Sequence, residues 1–167
     1  MQKIMPCLWF DDQAEEAVKF YTSIFNNSKI TGITHYGPAA AEAANRPEGS
    51  VLTVTFQLEG QDFMALNGGP VFTFSPAISL FVNCQTQEEI DELWEKLSEG
   101  GSTNQCGWLQ DRYGVSWQIV PASMGEMLLD EDTEKTERVM RAMLPMKKLD
   151  KQTLEQAYER EQTPSAV

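Results

Sequence analysis

Residues 77–97 read AISLFVNCQTQEEIDELWEKL, and within this stretch the spacing of the apolar side chains changes once. The first part, Ala77 to Cys84, is a short apolar run, which predicts a strand. Thr86 stands three residues before Glu89, and this capping-box spacing predicts the start of a helix. Apolar side chains then recur on one face of that helix, at Ile90, Leu93, Trp94 and Leu97. A strand followed by an amphipathic helix is therefore the unit from which the fold class is predicted.

The beginning of the chain repeats this order of elements. Lys3 to Phe10 predicts a strand, and the helix after it carries Glu15-Glu16 where the later helix carries Glu88-Glu89. Asp12, three residues before Glu15, is the predicted N-cap of this first helix. The similarity lies in the order of elements more than in residue identity, so it predicts a weak internal repeat.

Antiparallel strands are predicted after each helix, whereas residues 37–50 are small and contain Pro and Gly, which predicts a surface loop. The predicted strands are Ile30 to Tyr36, Ser50 to Leu58, Phe63 to Asn67, Gln105 to Gln110 and Val115 to Val120. Strand, helix and antiparallel strands, twice over, predict the α+β class with helices on one side of the sheets.

The pattern changes after Pro121. Residues 124–132 predict an acidic loop, and two helices follow, capped by Asp132 or Thr133 and by Asp150. The predicted divisions are a first module at 1–70, a second module at 71–121, a helical extension at 122–160 and a disordered tail at 161–167.

Composition limits the function. The 167 residues, 41% of them apolar, can bury one core, and the net charge is −12 from 25 acidic against 13 basic residues. Without a basic face, nucleic acid and anionic membrane surfaces are poor partners. No apolar run approaches the roughly 20 residues of a membrane span, and no leader is recognised, so a cytoplasmic location is predicted. Cys7, Cys84 and Cys106 are odd in number and lack a CxxC, which disfavours a disulfide framework or a zinc cluster.

The chain resembles the PhnB-like family of the vicinal-oxygen-chelate (glyoxalase and bleomycin-resistance) superfamily, also labelled 3-demethylubiquinone-9 3-methyltransferase. The stretches that carry the resemblance are Pro6 to Phe10, Glu15 to Ala17 with Phe20-Tyr21, FMALNGG at 63–69, SLFVNC at 79–84 and CGWLQDRYGVSWQIVP at 106–121. The segment from Arg138 to Leu154 is similar to the C-terminal extension of many such proteins. The resemblance implies two βαβββ modules whose eight strands form an incompletely closed barrel, commonly completed in a homodimer.

Enzymes of this superfamily hold a divalent metal with one ligand on each of four inward strands. Matching those positions to this chain gives Met5, Ala65, Ala77 and Gln118. Thioether is a soft ligand and alanine offers no donor, so no metal and no cofactor are predicted. His35, the single histidine, is expected to be exposed or structural. The methyltransferase label lacks support, because no glycine-rich turn joins a strand to a helix.

Alternation along the strands divides their side chains between two faces. One face is uniformly apolar and is predicted to pack under the helices; it holds Ile4, Leu8, Phe10, Met64, Leu66, Ile78, Leu80, Val82, Trp117 and Ile119. The other face is mixed, and its predicted ligand-binding residues are Met5, Cys7, Trp9, Phe63, Ala65, Asn67, Ser79, Phe81, Trp108, Ser116 and Gln118. Apolar walls with a few polar groups are typical of small-molecule pockets. The alternative is that the same side chains fill a barrel interior or a dimer interface.

Two interpretations of function follow. The first is a binding protein of the bleomycin-resistance sort, which takes a small, neutral or cationic, apolar or aromatic molecule without a metal. The second is a metal-independent enzyme that uses Cys7, Gln118 or a nearby carboxylate. No base stands beside any cysteine in the sequence, so the binding protein is the preferred hypothesis.

Overall fold

The computed structural model describes residues 2–160, and the tail predicted to be disordered, 161–167, lies outside the described residues. The chain divides into two units, Met1–Phe74 and Ser75–Val167. Each unit contains one βαβββ module, and the second unit also contains the C-terminal helices.

The first unit forms a four-stranded sheet with the strand order β1-β4-β3-β2. Its elements are β1 (Cys7–Phe10), α1 (Ala14–Ile24), β2 (Lys29–His35), α2 (Pro38–Ala44), β3 (Val51–Leu58) and β4 (Gln61–Asn67). Strand β1 runs parallel to β4, and the other neighbours are antiparallel. Helix α1 leads from β1 to β2 at the other edge of the sheet, and a long connection separates the parallel neighbours β1 and β4, which a tight hairpin cannot join.

Two local predictions for the first unit are wrong. Residues 37–50 are not a plain loop, because Pro38 occupies the first turn of α2 and the alanines that follow favour helix; Asn45, with φ 51°, ends it. The N-cap residue of the first helix is Gln13, whose side chain forms no capping bond, and not the predicted Asp12. The amide of Ala14 instead donates to Oδ1 of Asn67 at 2.8 Å, so a distant side chain satisfies the helix start.

The second unit repeats the arrangement with the strand order β5-β8-β7-β6. Its first elements are β5 (Ser79–Cys84), α3 (Gln87–Ser98), β6 (Ser102–Thr103), β7 (Trp108–Gln110) and β8 (Ser116–Pro121). The predicted N-cap is present, since Thr86 accepts from the amide of Glu89. The Glu89 carboxylate accepts at 2.7 Å from the amide of Gln85, one residue before the N-cap, and not from the amide of Thr86 itself.

Three helices complete the second unit: α4 (Ser123–Leu128), α5 (Thr133–Met143) and α6 (Lys151–Glu159). Helix α4 occupies part of the segment predicted to be loop, whereas Asp132 and Asp150 cap α5 and α6 as predicted. These helices share an apolar cluster with the end of β8, formed by Val120, Met124, Met127, Val139, Met143, Leu149 and Leu154.

The α+β class with two βαβββ modules and a C-terminal helical extension is confirmed. The two four-stranded sheets are not joined by strand pairing in residues 2–160. None of the helices in this part of the chain is long and apolar enough to cross a membrane.

Candidate functional site

In the first unit, the register of β1 and β4 shows which side chains share a face. Leu8 pairs with Ala65 and Phe10 with Asn67, and all four are buried. The bond from Ala14 to Asn67 places helix α1 on this side. We call this side the helix face of the sheet, and the opposite side its open face.

The predicted assignment of β4 to the ligand-binding face is wrong. Phe63, Ala65 and Asn67 are 5%, 0% and 4% exposed and lie on the helix face. Met64 and Leu66 take their place on the open face, opposite Cys7 and Trp9 in the register. Alternation fixes directions within one strand, but the phase between two strands depends on their pairing, which the sequence does not state.

Asn67 has a structural role in place of the predicted ligand contact. Its Oδ1 accepts from Ala14 at 2.8 Å, and its Nδ2 donates to the carbonyl of Val51 at 3.1 Å. Its own carbonyl accepts from the Tyr36 hydroxyl at 2.6 Å. A buried polar group that is satisfied in this way joins α1, β3 and the end of β2 and has little capacity left for a ligand.

On the open face of the first unit, Trp9 lies against the turn that follows β4. Its indole N–H donates to the Gly69 carbonyl at 2.9 Å, and its ring meets Phe72 edge-on with centroids 5.0 Å apart. A Cβ at Gly68 would stand 2.1 Å from the indole. The Gly68-Gly69 turn is therefore filled by tryptophan, and it leaves no phosphate-binding cradle of the kind a nucleotide cofactor uses.

Cys7 and Met5 complete the predicted residues of the first unit. Met5 precedes β1, and Cys7 is exposed at the start of that strand. Desolvation raises the pKa of the Cys7 thiol above its ordinary value, which disfavours the thiolate needed of a nucleophile.

In the second unit, the predicted face assignment agrees with the register. Phe81 pairs with Gln118, and Gln118 pairs with Trp108 on its other side. Leu109 and Trp117 point to the opposite side, where they are buried against α3. As in the first unit, we call this side the helix face of the sheet and the other side its open face. Phe81, Gln118 and Trp108 therefore form a row across three neighbouring strands on the open face, which we call the central row.

The side chains of the central row differ in how they are held. Phe81 is 51% exposed, and Trp108 and Gln118 are half-buried. Nε2 of Gln118 donates to Oγ of Ser79 at 2.9 Å. Ser116 lies in the adjacent row, opposite Ser79, and is buried. The open face of the second unit thus presents two aromatic rings on either side of one oriented amide.

A buried carboxylate that the sequence reading missed fixes the hairpin between β7 and β8. Asp111 is 3% exposed, and its Oδ1 accepts from the amides of Tyr113 and Val115 at 2.9 and 3.0 Å. Its Oδ2 accepts from the indole N–H of Trp117 at 2.9 Å. The signal was the aspartate at the first position of the Asp-Arg-Tyr-Gly turn, where its side chain can bond the backbone two residues on.

The C-terminal helices border the open face of the second unit. Val120 follows Gln118 by two residues in β8 and so points to the same side, where it belongs to the apolar cluster of α4 to α6. The amides of Cys106 and Gly107, just before β7, donate to the carbonyls of Met146 and Lys147, each at 2.8 Å. The helical extension therefore adjoins one end of the face that carries Gln118.

The residues matched to the superfamily's metal positions do not form a metal site. Met5 and Ala77 precede their strands, and Ala65 lies on the helix face, so only Gln118 lies on an open face. His35, at the end of β2, is exposed. Across residues 2–160, no three His, Cys, Asp or Glu side chains are grouped so that they could hold a metal ion. The side chains present do not fit the metal chemistry of the superfamily.

A protein-family model described as 3-demethylubiquinone-9 3-methyltransferase matches residues 2–120. The chain belongs to this PhnB-like family. None of the curated proteins compared with the chain is similar enough to count as a match. The family match ends at Val120, so helices α4 to α6 lie beyond it.

Solved structures agree with this family. A PhnB protein from Bacillus cereus, whose name includes the same methyltransferase description, is 42% identical with a TM-score of 0.65, and the match covers 72% of this chain and all of that one (100%). Protein PA1353 from Pseudomonas aeruginosa is 20% identical with a TM-score of 0.57, covering 70% of this chain and 95% of its own. The fosfomycin resistance protein FosX from Listeria monocytogenes is 14% identical with a TM-score of 0.55, covering 77% and 98%. The last two, at 20% and 14% identity, show similarity of fold alone.

Proposed function

We propose that this PhnB-like protein binds a small, neutral or cationic, largely aromatic molecule on the open face of its second unit, without a metal. The observation that carries the proposal is the central row, in which Phe81 and Trp108 flank Gln118. Aromatic surface combined with a few oriented polar groups is the usual composition of a small-molecule site.

The exposure of Phe81 supports the proposal energetically. Complete burial of a Phe side chain contributes about 1.5–3 kcal/mol, so Phe81, which is about half exposed, still offers about 1 kcal/mol to a molecule that covers it. Trp108 adds further half-buried aromatic area on the other side of Gln118. The helix face offers no such gain, because Trp117 and Ile119 are already buried there.

The charge of the protein disfavours an anionic ligand. A net charge of −12 repels anions at long range, and the central row itself contains no cationic side chain to offset that repulsion. The metal-free part of the proposal rests on the misfit of Met5, Ala65 and Ala77 to the metal positions.

A thermal-shift screen of neutral and cationic aromatic compounds, followed by calorimetry on the hits, tests the proposal. Phe81→Ala should weaken a hit about fivefold through about 1 kcal/mol of lost contact energy. Leu144→Ala is the matched control, because Leu144 is 55% exposed in the same unit but lies after α5. The affinity of the Leu144→Ala variant for the hit should stay unchanged. If Phe81→Ala instead unfolds the protein or dissociates a dimer, and no ligand is found, the open face is a core or an interface and the proposal fails.

We also propose that the protein is a homodimer. Each sheet ends in strands whose outer edges are unpaired within the described chain, and such edges are usually covered. Several large apolar side chains are exposed as well, including Ile4 at 82% and Ile78 at 78%. Light scattering should give twice the chain mass of 18.8 kDa. A dilute monomer of unchanged stability would contradict the dimer.

A cytoplasmic location belongs to the same proposal. Cys7, Cys84 and Cys106 are all free thiols, which fits a reducing compartment. Fractionation of cells that express the protein, followed by detection with an antibody, tests the location directly.

A further inference from the structure

We infer that the ligand presents an amide-like edge to Gln118, in which an N–H donor and a C=O acceptor lie side by side on a planar aromatic molecule. This inference rests on the proposed function, and it names the chemical class of the ligand: aromatic lactams and carboxamides.

The first step is the unused hydrogen-bonding capacity of Gln118. A primary amide carries two N–H donors and one carbonyl acceptor. One donor of Gln118 is used by Ser79 at 2.9 Å. The other N–H and the Oε1 oxygen have no partner among residues 2–160. Of the two N–H groups of a planar amide, one lies on the same side as the oxygen. With the bond to Ser79 made by the N–H that points away from Oε1, the remaining N–H and Oε1 match a ligand edge that offers one acceptor and one donor in the same plane.

The second step is that the amide is oriented before a ligand arrives. The bond to Ser79 ties the Gln118 side chain to the neighbouring strand β5, and β8 itself is held between β5 and β7. A flexible glutamine would lose rotamer freedom on binding, whereas an amide that is already tethered loses less. The bond to Ser79 therefore favours ligands of one geometry over nonspecific binding.

The third step is the spacing of the central row. Neighbouring strands lie about 4.8 Å apart, so Phe81 and Trp108 stand on either side of Gln118 with about 10 Å between their backbones. A flat ring system placed over Gln118 reaches both aromatic side chains. Ring contact then supplies area, and the amide edge supplies selectivity.

The fourth step separates an amide from a carboxylate. A carboxylate offers two acceptors and no donor, so it leaves Oε1 of Gln118 opposed to another oxygen. It also carries a negative charge toward a protein whose net charge is −12. The central row therefore selects the neutral amide edge over the acid.

A matched pair of probes tests the inference on the wild-type protein. 2-Quinolinone is a flat bicyclic lactam with adjacent N–H and C=O groups, and N-methyl-2-quinolinone has the same rings and carbonyl without the donor. Calorimetry should show 2-quinolinone binding about tenfold more tightly, because the methylated compound leaves Oε1 of Gln118 unpaired. Quinoline-2-carboxylate should bind more weakly than quinoline-2-carboxamide.

Variants locate the preference. Gln118→Leu should remove the tenfold difference between the two quinolinones, while N-methyl-2-quinolinone keeps its affinity through the rings. Ser79→Ala, which frees Gln118 from its tether, should reduce the difference without removing it. A thermal melt of each variant checks folding. If Gln118→Leu does not fold, Ser79→Ala and the wild-type pair still decide the question.

The outcomes distinguish the inference from the proposed function. Equal affinity of the two quinolinones, or a preference that survives Gln118→Leu, overturns the amide-edge inference and leaves a purely aromatic site. Absence of binding by all four probes, together with a screen that yields no aromatic hit, overturns both. A tenfold preference that disappears in Gln118→Leu supports both.

Discussion

Replacing Asp111 with asparagine should destabilise the second unit, although the two side chains have nearly the same shape. Asparagine keeps Oδ1, which accepts from the amides of Tyr113 and Val115. In the wild type, Oδ2 of Asp111 accepts from the indole N–H of Trp117 at 2.9 Å. In the variant, an NH2 group takes the place of this oxygen and faces the indole N–H. Two donors then oppose each other, and the indole loses its partner in the core.

The magnitude follows from the burial of that bond. Trp117 is 2% exposed and Asp111 is 3% exposed, so water cannot replace the lost acceptor. A buried donor left unsatisfied costs about 1–3 kcal/mol, and bonds to charged groups lie toward the upper end. We therefore expect Asp111→Asn to lower the free energy of unfolding by about 2 kcal/mol. Asp111→Ala, which also releases the buried amide of Val115, should cost about 4 kcal/mol.

Urea denaturation of four proteins isolates the bond: wild type, Asp111→Asn, Trp117→Phe and the double variant. Phenylalanine removes the indole donor, so Asp111→Asn should cost at least about 1 kcal/mol less in the Trp117→Phe background. Equal costs in both backgrounds would refute the role given to the Asp111–Trp117 bond.

Gly68→Ala should destabilise the first unit by about 2 kcal/mol and shift tryptophan fluorescence, because the new Cβ would stand 2.1 Å from the Trp9 ring; Gly37→Ala, with open space around its Cβ, is the control and should be nearly neutral. Iodoacetamide should label Cys7 but not Cys84 in the native protein at pH 8. Cys84 is 0% exposed, and its pKa is raised to about 12 by burial and by the charge of Glu89. Because the pKa of Cys7 is also raised by desolvation, its labelling should accelerate as the pH rises through and above its ordinary pKa near 9.0, as measured by mass spectrometry; native labelling of Cys84 would contradict the burial.

Helix starts were predictable where the cap is local. Thr86, Asp132 and Asp150 each accept a bond from an amide two or three residues ahead, so the sequence alone contains both partners. The prediction of Asp12 as the N-cap was wrong, because the amide of Ala14 at the start of α1 donates to Asn67, which is 53 residues away in the chain. No local pattern reveals a partner at that distance.

The faces of the strands were predictable only where polar residues mark the phase. In β5 and β8, Ser79 and Gln118 alternate with large apolar side chains, so the two faces of the second unit are distinguished by composition. In β4, both phases of FMALN are apolar up to the final Asn67. Asn67 was assigned to the mixed face for its polarity, yet it is buried under α1. The register of a parallel pair, which decided the matter, is a tertiary feature.

The polar side chains inside this protein fall into two kinds, and the difference bears on where a ligand binds. Asn67 and Asp111 are almost fully buried, and each accepts or donates several bonds within its own unit. Their removal should be felt as lost stability. Gln118 is only half-buried and uses one donor, on Ser79, while its remaining N–H and its oxygen stay unused among the described residues. Since a half-satisfied amide between two aromatic rings adds little to folding, its loss should be felt as changed binding and not as unfolding. That contrast is measurable in one set of variants and makes Gln118 the residue on which the function should be tested.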